Sequence, residues 1–486
     1  MRIFVLSRIF SRFFAFCGLT LVLPLVVSLI YGDGLWWTWL LTVTLSFGLS
    51  VASIRHARKS PEMYYGLRRR EGLLAVTVAW LSIVTLTSVA YYLTGEFEGF
   101  ASSFFESMSG YTTTGATVAR DVEALSASIL FARSLSHWIG GMGIIVLSVA
   151  ILPELAVAGM QLVEAETSGL ESEKLAPRIA DTARKLWGLY VGMTLIQAAL
   201  LVAADMSAFD AINHAMATIA TGGFSTRNLS IAAFESVFVE LIVIVFMFLS
   251  GLNFILLFRA TIGREPKRLI QSPEVRLYSL LMLISTTMIA ASLVFSGQHD
   301  GVFKALLDAS FQTVSIMTTT GFGTTDFDQW PSFAKLILLG LMFIGGCAGS
   351  TAGGSKVVRL YVVAKHAGIQ MNRIIRPKLV QTLRMGKKLV SREIIESVLG
   401  FYLLYFIAIL VASLVLAATG LDIISAFTAA ISAMNSIGPG LGQVGPSQTF
   451  SDLSSFGLYV LSFCMLLGRL EIYTLLVLLA PRFWKR

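Results

Sequence analysis

Apolar runs of about 20 residues, the length a helix needs to cross a bilayer, recur along the chain between short polar or glycine-rich stretches. They predict ten spanning helices, at about 10–31, 35–54, 72–93, 126–152, 186–204, 236–258, 276–296, 333–348, 396–418 and 453–480. The first run has the basic front of a secretory signal, but it is too long and lacks a small-residue cleavage site, so it reads as a retained helix. After this opening pair the spans come in twos, with a shorter segment inside each pair. That segment begins with an N-cap type of residue, continues for about ten helical positions (103–112 in the first copy) and ends in a glycine-broken stretch. Ten helical residues cover about 15 Å, half of the hydrocarbon core, so such a piece must enter and turn back. Irregular backbone at that depth is tolerated only where protein buries it or water lines it. The pattern predicts an all-α polytopic membrane protein with about ten transmembrane helices and four re-entrant half-helices around a water-lined pathway.

The glycine-broken stretches are copies of one another. They read Thr112-Thr113-Thr114-Gly115-Ala116-Thr117, Ala220-Thr221-Gly222-Gly223-Phe224-Ser225, Thr318-Thr319-Thr320-Gly321-Phe322-Gly323 and Asn435-Ser436-Ile437-Gly438-Pro439-Gly440. Aligned on the central glycines, each has a hydroxyl two positions earlier: Thr113, Thr221, Thr319 and Ser436. Six positions earlier stands a small residue (Ser109, Ala217, Ser315, Ser432), and thirteen earlier a cap type (Ser102, Asp210, Asp308, Ser425). The repeats divide the chain into a two-helix region with a basic loop, 1–70, and four pore repeats. These run 71–153, 154–260, 261–366 and 367–486, the second and fourth each opening on a cytoplasmic segment.

Charge sets the expected orientation. Only 14% of residues are charged, against about a quarter in ordinary soluble domains. Lys and Arg gather in the loops at 55–70, 174–185, 259–276 and 356–392 and at both termini, which the positive-inside rule makes cytoplasmic. The net charge of +8 therefore reflects topology rather than nucleic-acid binding. Acids such as Glu96, Glu98, Asp121, Asp210, Asp308, Asp326, Asp422 and Asp452 fall in the opposite loops, and together they suggest an outer mouth that attracts cations. Cys17, Cys347 and Cys464 offer no disulfide framework, and the five histidines no metal constellation. The spans supply no convergent nucleophile, base or metal set, which argues against a membrane-embedded enzyme.

The repeated stretch suits a cation. A half-helix entering from outside points its C-terminus inward, and each such end carries roughly half a negative charge. Carbonyls that turn toward an axis past the helix end need residues tolerant of positive φ, which glycine provides. Rings of backbone carbonyls are how potassium filters strip an ion of water. Tight turns and close helix packing are the competing use of the same residues.

Four loops of the form TTTGATV, ATGGFST, TTTGFGT and NSIGPGL in one chain resemble those of the Trk/Ktr/HKT superfamily of potassium transporters, and among them the TrkH/TrkG/TrkI type, which has the additional N-terminal helix pair. The resemblance covers essentially the whole chain. It implies a pseudo-fourfold potassium pore, a homodimer in the lipid bilayer of the bacterial inner membrane, and a soluble TrkA-type nucleotide-binding ring on the cytoplasmic face. It implies potassium as the transported ion, with no organic cofactor on this chain and no nucleic acid. The filter it implies comprises Thr113, Thr114, Gly115, Thr221, Gly222, Gly223, Thr319, Thr320, Gly321, Ser436, Ile437 and Gly438. All four glycines are present, the family pattern associated with potassium preference. Ile437 and Pro439 make the fourth loop the most divergent.

Two further features read as a gate. Gly345-Gly346-Cys347-Ala348-Gly349-Ser350-Thr351-Ala352-Gly353-Gly354-Ser355-Lys356 interrupts an apolar span. Gly349 and Gly354 have phosphate-loop spacing, but Ser355-Lys356 inverts the required order and no strand precedes them. A flexible intramembrane loop, as in the family's gating loop, and simple small-residue packing both remain open. Arg469 sits within the last apolar span. A buried arginine there usually faces a cavity or a partner; it either opposes cations below the filter or pairs with an acid such as Glu471. Arg133 and His137 read as structural. The polar basic segments 153–185 and 364–392 are either solvated loops with affinity for anionic lipid or a dock for the ring. The alternative from another class is an ion-coupled secondary transporter of another small cation, with a midplane binding site between repeats.

Overall fold

The computed structural model describes residues 3–58, 69–150, 175–299, 301–378, 380–386 and 388–485. Residues 59–68 of the basic loop at 55–70, and 153–174 of the polar segment at 153–185, lie outside the described residues. Helices α1 (Ile3–Tyr31) and α2 (Trp36–Ala57) form a hairpin against α3 (Arg69–Thr94) and α5 (Ala127–Ala150). Between α3 and α5 lies the short α4 (Gly99–Tyr111). The second unit contains α6 (Leu175–Ala203), the short α7 (Ala208–Ile219), α8 (Val237–Ser250) and α9 (Phe254–Thr261). The third contains α10 (Pro266–Gln271), α11 (Pro273–Phe295), the short α12 (Val302–Met317), α13 (Ser332–Met342) and α14 (Val357–Ile375). The fourth contains α15 (Arg392–Ala418), the short α16 (Ile423–Asn435), α17 (Ser455–Arg469), α18 (Ile472–Leu479) and the final turn α19 (Pro481–Trp484). A two-residue hairpin, β1 (Arg384–Met385) with β2 (Lys388–Leu389), is the one sheet among the described residues.

The burial pattern is that of a protein in lipid. Leu19, Phe238, Leu283 and Leu403 each leave more than 60% of their surface exposed, while the interior is rich in Ser and Thr. Bilayer contact makes that arrangement stable, because lipid accepts apolar side chains and leaves polar groups to find partners inside. The chain is a multi-pass membrane protein. Six helices are long and apolar enough to span alone, and two bent pairs bring the described total to eight. The other two expected spans are the 24-residue α5 and the 11-residue α13, which stops at Met342 and gives way to a loop.

Two expected continuous spans are broken. The pair α8 and α9 bends by 110° and the pair α17 and α18 by 116°. At the first break the hydroxyl of Tyr278 lies where a Gly251 side chain would go, and Asn253 caps α9 by accepting from the Ile255 and Leu256 amides. At the second, Glu471 adopts a left-handed φ of 64°.

The four short helices run 13, 12, 16 and 13 residues, roughly 18–24 Å and still too short to span. Their N-caps are Glu98, Ser207, Gly301 and Asp422 rather than the expected Ser102, Asp210, Asp308 and Ser425, which all lie inside their helices. Asp210 and Ser425 are displaced because the true caps, Ser207 and Asp422, accept their backbone amides.

Candidate functional site

All four short helices end in the same way. Thr113, Thr221, Thr319 and Ser436 take left-handed φ values of 54°, 54°, 58° and 56°. The amide after each donates back across the turn: Thr114 to Ser109 O (2.8 Å), Gly222 to Ala217 O (2.8 Å), Thr320 to Ser315 O (2.9 Å) and Ile437 to Ser432 O (3.0 Å). With the tighter bonds from residues 113, 221, 319 and 436 themselves, this is the Schellman ending, here with a hydroxyl residue where glycine is usual. Two positions on, Gly115, Gly223, Gly321 and Gly438 are left-handed again, at 80°, 82°, 80° and 103°. Left-handed and ordinary residues alternate, the local condition for turning successive carbonyls to one side.

The glycines close these four ends into a ring. A Cβ on Gly115 would lie 2.1 Å from Gly222 O, one on Gly223 2.0 Å from Thr320 O, and one on Gly321 1.9 Å from Ile437 O. One on Gly438 would lie 2.8 Å from Thr114 O, returning to the first copy. Each glycine thus seats the carbonyl that precedes the next glycine, in the cyclic order first, second, third, fourth, first. All twelve expected ring residues belong to these four ends. Four helix C-termini converge on one small opening, each contributing partial negative charge.

Beneath the helix ends lies the loop 343–356. It folds on itself at left-handed Gly345, Gly349 and Gly354, and it ends at Lys356 with a φ of 73°. Its tip touches the second, third and fourth units, and Arg469 ties it to the first. Thr351 Oγ1 donates to Ile219 O (3.1 Å) and Ser250 O (3.2 Å) of the second. The Gly353 amide donates to Thr319 Oγ1 of the third at 2.7 Å, and a Cβ on Gly353 would lie 2.1 Å from Asn435 O of the fourth. Arg469 completes the set: it is buried, and its two terminal nitrogens donate to Thr351 O and to Gly140 O of the first unit, both at 2.9 Å. Glu471 is paired with Arg359 instead. The loop's outer stem is clamped by Asn253 Nδ2 to Ala348 O (2.7 Å) and by the Ala348 amide to Glu274 (2.7 Å). Lys356 turns back onto Ala352 O, and a helix precedes the loop, so the phosphate-loop reading finds no support here.

On the opposite side of the ring a funnel of about 420 Å³ opens. Its charged lining is Arg120, Arg133, Arg227 and Asp326, so the acidic mouth expected from the loop composition is corrected. The acids are engaged locally. Asp210 takes Thr226 and Arg227, Asp452 takes Arg120, Asp308 takes Lys304 and His299, and Asp422 caps α16. Asn228 donates to Asp121 and holds that carboxyl below its usual range. Asp300 lies outside the described residues.

Behind the first two ring segments stands a polar scaffold. Glu106, wholly buried in α4, accepts from Thr117 Oγ1 (2.9 Å), the Val118 amide (2.9 Å) and Arg133 Nε (2.8 Å). Arg133 also donates to Ser225 O (3.1 Å) and lies 4.0 Å above the Phe224 ring. His137 bonds Gly110 O through Nδ1 (2.8 Å) and accepts the Phe224 amide at Nε2 (3.2 Å), which makes it the neutral Nδ1–H form. The structural reading of Arg133 and His137 agrees with these bonds. Glu106, Asn253, Glu274 and Arg359 did not stand out in the sequence. The one signal that marks Glu106 is an acid in an apolar helix too short to span.

A sequence profile for the TrkH family, described as "Cation transport protein", matches residues 42–486. The chain is 40% identical over 471 residues to the Trk system potassium uptake protein TrkH of Salmonella typhimurium, covering 96% of each. It is 33% identical over 473 residues to the Trk system potassium uptake protein TrkG of Escherichia coli, again covering 96% of each. Its fold is similar to the crystal structure of the potassium transporter TrkH from Vibrio parahaemolyticus, with a TM-score of 0.91, 37% identity and full coverage of both chains.

Proposed function

The chain belongs to the TrkH family of cation transport proteins, and on that premise we propose that it carries potassium into the cell through the ring of four helix ends. It is a transport protein, not an enzyme. The observation that carries the reading is the closed cycle of glycine–carbonyl contacts from Gly115 round to Gly438. A ring of backbone oxygens replaces the hydration shell of a monovalent cation without using a fixed charge, and the helix ends supply the favourable field. Thr113, Thr114, Gly115, Thr221, Gly222, Gly223, Thr319, Thr320, Gly321, Ser436, Ile437 and Gly438 form the filter.

The ion enters from the funnel, passes the filter, and meets the gate made by Gly345, Gly346, Gly349, Gly353, Gly354, Lys356 and Arg469. Supporting this, the loop tip reaches the second, third and fourth units beneath the ring, and the Arg469 guanidinium ties it to the first. The pore repeats run 71–153, 154–260, 261–366 and 367–486, after the N-terminal region 1–70. Both termini are cytoplasmic in a bacterial inner membrane; the bonds from Arg70 to Phe483 O and Lys485 O keep the C-terminus beside the basic end of α3. The chain forms a homodimer and docks a TrkA-type nucleotide-binding ring on its basic face, where α14, α10 and the hairpin carry their Lys and Arg.

The test is uptake of radioactive rubidium into liposomes holding the purified chain, alone and with the ring partner, against potassium or sodium as competitor. Uptake suppressed by potassium and barely by sodium is expected. Uptake absent in both preparations, or suppressed equally by the two ions, overturns the reading.

A further inference from the structure

The bond from the Gly353 amide to Thr319 Oγ1 joins the gating loop directly to one of the four left-handed hydroxyl residues at the bottom of the ring. Those four do not have equal partners. Thr221 Oγ1 donates to Ala220 O, whereas Thr113 Oγ1 and Ser436 Oγ are buried with no protein partner. Buried hydroxyls are almost always bonded, and two orphans at equivalent positions of a ring mark a place where an outside atom supplies the missing partner. Gly353 fits between the third and fourth helix ends so closely that its absent Cβ would also come within 3.1 Å of Ser436 Cβ. The loop tip therefore sits at the level of the hydroxyls, not merely below them.

We propose that a potassium ion at this hydroxyl level and the seated gating loop compete for Thr319, so that the permeating ion itself biases the gate toward opening. The proposal rests on the potassium reading above and adds a regulatory link to it. A cation ligated by Thr319 Oγ1 needs that oxygen's lone pairs and repels the positive end of the Gly353 N–H dipole aimed at it. A seated loop uses one lone pair and presents a donor where a cation would stand. Coupling of this kind is reciprocal: whatever factor potassium gives to unseating, unseating gives to potassium affinity. With one hydrogen bond at stake the factor is about fivefold.

Two measurements on the purified full-length chain test it together. Potassium binding is titrated by calorimetry, and hydrogen–deuterium exchange is followed in the peptide carrying the Gly353 amide, in potassium and in choline. Exchange of that peptide is expected to quicken about fivefold on potassium saturation in the native chain and in Thr319→Ser, which keeps the hydroxyl. In Thr319→Val it is expected to be fast in both salts. Gly353→Ala, which cannot seat, is expected to bind potassium about fivefold more tightly. Potassium binding with no change in exchange overturns the interlock and leaves the pore standing. Equal acceleration in Thr319→Val also overturns it. No potassium binding at all removes the pore reading, and the interlock with it.

Discussion

Arg359 and Glu471 form an ion pair between two breaks in the helices, one just after the loop 343–356 and the other at the kink of α17 and α18. Both side chains are largely buried, and the guanidinium also lies 4.0 Å above the Phe401 ring. Removing one member of a buried pair leaves a charge without compensation and typically costs about 3–5 kcal/mol. Glu471→Gln should therefore lower the midpoint of thermal unfolding and raise rubidium flux without the ring partner, because α14 is no longer tied to α18. The double variant Arg359→Gln/Glu471→Gln should recover part of the lost stability. A cycle of the four proteins with additive losses would show that the pair is not coupled.

Gly115 leaves no room for a side chain. Its φ of 80° is unfavourable for any residue with a Cβ, by roughly 1–2 kcal/mol, and that Cβ would meet Gly222 O at 2.1 Å. Gly115→Ser must push the second carbonyl outward and open the ring. Sodium should then compete with rubidium uptake far better than in the native chain, by about an order of magnitude if about 1.4 kcal/mol of discrimination is lost. Gly340→Ala, in α13 with open space around it, should leave the competition unchanged. An unchanged ratio in Gly115→Ser would remove Gly115 from the filter.

Glu106 holds the stretch after Gly115 by accepting from Thr117 Oγ1 and the Val118 amide, and it pairs with Arg133 of α5 at the same time. Glu106→Gln keeps the shape but strips the charge that balances buried Arg133. The expected result is a loss of several kcal/mol in stability, seen as a lower unfolding midpoint in detergent. Potassium should restore part of it, since an ion bound only by the folded ring adds stability by mass action. A midpoint insensitive to both changes would show that the scaffold does not support the ring.

Four copies of one pattern made the helix ends legible in the sequence: a glycine, a hydroxyl two residues earlier and a small residue six earlier recur in register at Gly115, Gly223, Gly321 and Gly438. The loop at 345–356 was legible for a similar reason, because glycines that dense cannot continue a helix. What the pattern does not carry is which copy faces which, since the cyclic order depends on contacts between residues about a hundred positions apart. The kink at Glu471 has no proline, and its left-handed φ falls on a residue with no local signature. The outer mouth was misread because counting acids by loop ignores their partners: Asp210 and Arg227, or Asp452 and Arg120, cancel once the loops meet.

Arg469 has two separable properties, and substitutions can separate them. Its fork bridges Thr351 O and Gly140 O, pinning the loop tip to the first unit, and in the proposed pore its charge would oppose a passing cation. Arg469→Ala removes both and should raise rubidium flux in liposomes without the ring partner. Lysine keeps the charge but is a point donor without the planar fork that reaches two fixed acceptors. If the charge is the main barrier, Arg469→Lys should hold flux near the native level. If the bridge is the main barrier, Arg469→Lys should leak nearly as much as Arg469→Ala, and exchange of the Thr351–Gly353 peptide should quicken in both. The geometry favours the second outcome, because the loop spans three of the four units and the guanidinium is what ties it to the first. Flux at or below the native level in a well-folded Arg469→Ala would count against any barrier at this residue.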